Sequence, residues 1–175
     1  MSPVMRNWFV IAILAVSQFV MILDSTVMNV SISEVAADLD TTITGMQAAI
    51  TFYTLTMAAF MLTGGKFGDL WGRTRAFKIG SIIYGLGSLI TAISPNLPTL
   101  LVGWSLIEGL GAVLVIPAIA ALAAVNYTGK ARVTAFSILG AVTGLAAAVG
   151  PLIGGLVTTY PVSYTHLRAH ETVLD

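Results

Sequence analysis

Two carboxylates interrupt a chain that otherwise carries little charge. Asp24 falls within the apolar run from about Trp8 to Val30, and Glu108 within the run from about Leu100 to Val125. An acid inside an apolar span is costly unless it is paired, hydrated or protonated. A carboxyl that gains and loses a proton beside a cavity can couple proton movement to transport. Structural readings stand beside this one. Asp24 lies in the outer third of its run and could make a helix-stabilising bond near the membrane surface. Glu108 lies deeper and could stay protonated against a neighbouring hydroxyl. Trp104, Ser105, Gly111 and Ala112 share its helical face. Counting along the two runs does not place the acids at one depth.

Charge gathers at one further place. Lys66, Asp69, Arg73 and Arg75 fall within ten positions, with Lys78 just beyond, although charged residues are 9% of the chain. Gly64, Gly65, Gly68 and Gly72 are interleaved with them. Near the other end, Gly150-Pro151 precedes the pair Gly154-Gly155. Pro151 lacks a backbone donor and is expected to bend a helix there.

The elements that position these residues follow from composition. Hydrophobic residues are 57% of the chain, and the mean hydropathy is +0.92, too apolar to clothe a soluble domain. Five segments have the roughly 20 apolar residues a bilayer core requires: about 8–30, 45–64, 77–93, 100–125 and 134–159. Helix is the form expected, because an open sheet leaves unpaired backbone groups in lipid. Ser94-Pro95-Asn96-Leu97-Pro98 and Asn126-Tyr127-Thr128-Gly129 read as turns. Arg6, the 66–78 cluster, Lys130 and Arg132 then fall on one side. The 31–45 connection carries Glu34, Asp38 and Asp40 and no base. The positive-inside rule makes the basic side, and with it the N-terminus, cytoplasmic.

The first span carries a stripe. At helical spacing Ser17, Gln18, Met21, Asp24, Ser25, Met28 and Asn29 fall on one side, with Phe19, Val20, Leu23 and Val27 opposite. Such a face belongs toward a water-filled cavity or the bundle interior. Its methionines would suit varied apolar ligands, or would fill gaps in a core. In the fifth span Gly140/Gly144 and Gly150/Gly154 are spaced for close helix contact.

Three stretches carry a family resemblance. Residues 65–75, GKFGDLWGRTR, resemble the loop signature of the major facilitator superfamily, with Gly65, Asp69, Gly72 and Arg73 at its matching positions. Leu70 stands where many members carry Arg. Leu23-Asp24-Ser25-Thr26-Val27-Met28-Asn29-Val30 and Gly150-Pro151-Leu152-Ile153-Gly154-Gly155 resemble two signatures of its drug:proton antiporter branch with fourteen spans. The resemblance covers about residues 5–160. It implies an all-α integral membrane protein: the first five transmembrane helices of a six-helix N-terminal bundle, with a C-terminal half to follow. It also implies a latch at Gly65, Asp69, Gly72 and Arg73, and an antiporter bend at Gly150, Pro151, Gly154 and Gly155. Ser17, Gln18, Met21, Ser25, Met28, Asn29, Trp104 and Ser105 become cavity-lining candidates, and Asp24 and Glu108 proton-coupling candidates. One departure matters. Where the family usually has R-x-x-Q-G, this chain reads Ser105-Leu106-Ile107-Glu108-Gly109, so an Arg relay is absent and Glu108 could supply the titrating group.

The expected function is proton-coupled export of small amphipathic compounds by alternating access, in a bacterial-type inner membrane. The partners are the lipid bilayer, a small-molecule substrate and protons, with no nucleic acid. The alternatives are an importer or facilitator of a polar metabolite, a five-span membrane scaffold, or an intramembrane enzyme. The chain has no cysteine and no nucleotide loop of the G-x-x-x-x-G-K-[ST] kind, and no cofactor is implied. Residues 161–175 change character and resemble translated sequencing-adapter sequence, so they are expected to be foreign and the fragment inactive alone. His166 and His170, four apart, make no metal site without a third ligand nearby.

Overall fold

The computed structural model describes residues 3–171, with side chains described for residues 8–156. Among the described residues seven α-helices follow one another: α1 (Pro3–Val30), α2 (Ile32–Asp38), α3 (Ile43–Trp71), α4 (Arg73–Ala92), α5 (Leu97–Leu100), α6 (Gly109–Asn126) and α7 (Gly129–Glu171). Between α5 and α6 the chain widens into a π-helical segment, Leu101–Glu108, without a break in direction. No strand occurs among the described residues.

Helices of Trp8–Val30, Ile43–Trp71, Leu97–Asn126 and Gly129–Leu156 are long and apolar enough to cross a membrane. The third expected span is α4. It has 20 residues, but Arg73, Arg75 and Lys78 occupy its first two turns and dilute its hydropathy.

Three boundaries differ from the sequence expectation. The 31–45 connection contains the short helix α2. The expected loop at 64–75 is mostly helix: α3 runs seven residues past Gly64, and the one break is Gly72 at φ +92°. Glycines do not end a helix unless one takes a left-handed backbone, and here only Gly72 does so. Third, α7 starts at Gly129, itself at φ +53°, and continues through Pro151 and past residue 160.

The Leu97–Asn126 span is central. Half of its most apolar stretch is buried, against 17% in each of the other three spans. Glycine faces set how close its neighbours come. A Cβ on Gly80 would sit 2.7 Å from Leu114 Cβ, one on Gly87 2.5 Å from the Glu108 amide nitrogen, and one on Gly111 2.5 Å from the Tyr84 amide nitrogen. Thus α4 lies antiparallel on the π-helical segment and α6, backbone against backbone. On the other side, Gly64 of α3 meets the Val113 carbonyl. Pro117, four residues on, has no N–H to give that carbonyl, which leaves it facing Gly64. Two further glycines set α1 against α7: Gly150 packs on Thr26 and Gly154 on Val30.

The outward surface is apolar. Phe9, Val16, Val20, Leu55, Leu62 and Leu86 are among its exposed side chains, as expected of a surface solvated by lipid. Two buried clusters divide the interior. One joins Ile11, Leu14 and Met21 to Tyr84, Val115 and Tyr127. The other joins Met46, Ala49 and Tyr53 to Leu100 and Trp104.

Candidate functional site

Asp24 and Glu108 are brought together where α1, α3, α4 and the π-helical segment converge. Asp24 Oδ2 accepts two hydrogen bonds, from the Tyr84 hydroxyl at 3.2 Å and from the Trp104 indole N–H at 3.1 Å. The donors come from two other elements, so this one carboxylate oxygen ties α1 to α4 and to the π-helical segment. Trp104 is held flat by its neighbour, since its ring stacks on Tyr53 at 4.7 Å and 10° between planes.

Glu108 stands beside this group in a different condition. It is fully buried, and neither carboxyl oxygen has a hydrogen-bond partner among the described residues. Asp24 and Tyr84 are the polar side chains that face it, and neither completes a bond. The packing explains its position. Tyr84 and Gly87 share a face of α4, Glu108 and Gly111 share the opposing face, and the glycines remove the bulk that would separate them. Counting left open whether the two acids share a depth, and the fold sets Glu108 beside Asp24. The π-helical segment presents both Trp104 and Glu108 toward Asp24. Short π-helical stretches often occur at functional sites, and this one holds Trp104, Ser105 and Glu108.

The remaining sequence candidates take varied places. Ser17 and Met21 line a groove of about 260 Å³ together with Ser81, Tyr84 and Val115. Met21 is otherwise buried in the core. Gln18 donates to Thr143 Oγ1 at 3.2 Å, bridging α1 and α7. Ser25 and Asn29 donate to their own helix, at the Met21 and Ser25 carbonyls. Met28 packs against the cluster around Trp104. Ser105 is buried and donates to the Ala49 carbonyl at 2.8 Å, tying the π-helical segment to α3. Trp104 and Ser105 therefore act within the helix seam.

At the other end, Arg73 donates to Asp69 at 3.4 Å, an i,i+4 pair across the Gly72 break. It also reaches the Ala121 carbonyl of α6 at 3.5 Å. Gly72 supplies the turn. Gly65 has nothing within 4 Å of an added Cβ, and the close contact falls to Gly64 instead. Gly155 is likewise open, while Gly150 and Gly154 make the α1 contact and Pro151 is exposed. No group of three or more His, Cys, Asp or Glu side chains among the described residues could hold a metal. His166 and His170 lie outside the residues whose side chains are described.

Residues 14–165 match the family model of the Major Facilitator Superfamily. The chain belongs to this superfamily. Its similar relatives include the puromycin resistance protein pur8 of Streptomyces alboniger, 38% identical over 91% of this chain and 32% of the relative. The probable actinorhodin transporter of Streptomyces coelicolor is 32% identical over 89% of this chain and 27% of its own length. The riboflavin transporter RibZ of Clostridioides difficile is 30% identical over 87% and 33%. The chain thus spans about a third of the length of these curated relatives. With the superfamily shown, the all-α bundle is part of a transporter fold and the protein is an integral membrane protein of the bacterial plasma membrane.

Sequence reasoning missed Tyr84, Tyr53, Thr143 and the Ala121 carbonyl. One signal was available for Tyr84. A tyrosine in mid-span, set among Gly80, Gly85 and Gly87, must send its hydroxyl to a polar partner on the helix that those glycines admit.

Proposed function

We propose that the chain is the front part of a proton-coupled exporter of small amphipathic compounds that works by alternating access. The observation that carries the reading is the buried, unpartnered Glu108 beside Asp24. A carboxylate without a donor is costly in a low-dielectric interior, whereas the neutral acid is tolerated. Such a group holds its proton until the surroundings open, which is what a coupling site requires. The puromycin resistance protein among the relatives supports export as the direction. With basic residues at one end of the bundle, the N-terminus is cytoplasmic. Asp69 and Arg73 act as a latch that engages one access state, and the Gly150–Gly155 stretch serves as the antiporter bend. The protein catalyses no chemical reaction.

The rest of the transporter is a C-terminal half encoded beyond this chain, and residues 161–175 are foreign to the bundle. Reading the source gene past codon 161 tests this. Further apolar spans support it, and an encoded THLRAHETVLD followed by a stop refutes it.

The decisive experiment uses the full-length gene in everted vesicles. Glu108→Gln should abolish proton-driven efflux while leaving membrane insertion intact, and unchanged efflux overturns the coupling role. The riboflavin transporter among the relatives favours a second reading, movement of a polar metabolite. The same vesicles separate the two, because an exporter loads substrate into everted vesicles when they are energised and an importer does not.

A further inference from the structure

The Asp24–Glu108 pair has a third member in the Tyr84 hydroxyl. It donates to Asp24 Oδ2 at 3.2 Å and stands on the side that faces Glu108. Its helix is held against the segment carrying Glu108 by two backbone-close contacts, at Gly87 and at Gly111. A phenol so placed can donate to one carboxyl and accept from the other. Trp104 pins the receiving oxygen by donating to the same Oδ2.

We propose that Tyr84 directs the proton between Glu108 and Asp24, passing it through its own hydroxyl. This rests on the reading of the two acids as the coupling pair. The step balances without any other reagent. When the Glu108 carboxyl turns to close a hydrogen bond on Tyr84 Oη, its O–H bond breaks and the proton bonds to that oxygen. The proton already on Oη leaves for Asp24 Oδ2. The phenol ends neutral, Glu108 becomes the carboxylate and Asp24 becomes the acid. Rotation of the hydroxyl resets the relay.

The groups facing the pair are few. They are Asp24 from α1, Tyr53 from α3, Tyr84 from α4, and Glu108 and Trp104 from the π-helical segment. Tyr53 faces Ser25 and is stacked on Trp104, so it supports the indole. Among the described residues the one ion pair, Asp69–Arg73, lies at the basic end and supplies no counter-charge here. The proton therefore has two carboxyls and one phenol to occupy.

Trp104 is a built-in reporter, because its N–H bonds the oxygen that would be protonated. The chain carries three tryptophans. Replacing two of them (Trp8→Phe, Trp71→Phe) leaves Trp104 as the sole emitter. In phosphatidylglycerol–phosphatidylcholine nanodiscs, a stopped-flow pH jump should then change Trp104 emission in a single fast phase. Tyr84→Phe should slow that phase by about a hundredfold, the lower end expected for loss of a positioned proton-transfer group. Glu108→Gln should slow it similarly, and the double variant should be no slower than either. That non-additivity is the signature of one relay, because two unrelated structural effects would multiply. A parent with no pH-dependent emission overturns the proposal. So does a Tyr84→Phe rate equal to the parent's, or a double variant slowed by the product of the two effects. If the relay fails here while Glu108→Gln still abolishes efflux in the full-length protein, the transport reading stands and Tyr84 alone is dismissed.

Discussion

Gly87 and Gly85 lie two residues apart on one helix, yet the structure assigns them opposite responses to the same substitution. A Cβ on Gly87 would lie 2.5 Å from the Glu108 amide nitrogen and 2.7 Å from both its Cα and its Cβ. Heavy atoms in ordinary contact sit about 3.5 Å apart or more, so α4 must retreat by about 1 Å. Two of the three atoms are backbone and cannot turn aside. Overpacking of this kind costs about 1–3 kcal/mol, against which the better helix propensity of Ala returns about 1 kcal/mol. Gly85 has nothing within 4 Å of an added Cβ, so only the propensity gain applies there. Gly87→Ala should therefore lower the midpoint of denaturation in mixed sodium dodecyl sulfate micelles, while Gly85→Ala should leave it level or raise it. In the Trp8→Phe, Trp71→Phe background Trp104 fluorescence follows the transition, since that ring is buried beside the seam. The retreat should also draw Tyr84 off Asp24, so Gly87→Ala should shift Trp104 emission in the folded state as well. A Gly87→Ala chain as stable as Gly85→Ala would refute the packing argument and the placement of Glu108 that depends on it.

Three other outcomes follow from the same geometry. Trp104→Phe preserves the stack on Tyr53 but removes the donor to Asp24. A double-mutant cycle with Asp24→Asn should return a coupling of about 0.6 kcal/mol and no more than about 1.7 kcal/mol, the mean and maximum found for interhelical hydrogen bonds by such cycles in a membrane protein. Gly64→Val should prevent close docking of α3 at the Val113 carbonyl and destabilise the chain, whereas Gly65→Val should be tolerated, as denaturation midpoints of the two would show. Asp69→Asn should change stability by less than about 1 kcal/mol, since the pair is solvent-exposed. Yet it should impair turnover of the full-length transporter, and normal turnover in vesicles would remove the latch role.

Much was legible in the residues alone, for reasons that are local. Apolar runs long enough for a bilayer leave helix as the favoured form, and the clustering of Lys66, Arg73, Arg75 and Lys78 against the acidic 31–45 connection predicts sidedness before any packing is known. The family signatures are likewise short, contiguous strings. Asp24 and Glu108 stood out because an acid in an apolar run is conspicuous wherever the helix turns.

What the sequence left open depends on the approach of helices distant along the chain. Only the packed bundle puts the Tyr84 hydroxyl, 60 residues from Asp24, within hydrogen-bonding distance of it. No periodicity distinguishes Gly64, which packs on the Val113 carbonyl, from Gly65, where an added Cβ would meet nothing within 4 Å. The π-helical segment Leu101–Glu108 is invisible to a count at 3.6 residues per turn, so its meeting with Asp24 could not be read from spacing. The sequence by itself determined a membrane-spanning helical chain with two acids inside it. The tertiary structure decided that those acids face each other, because backbone contact at Gly87 and Gly111 is a property of two surfaces and of neither strand of sequence alone.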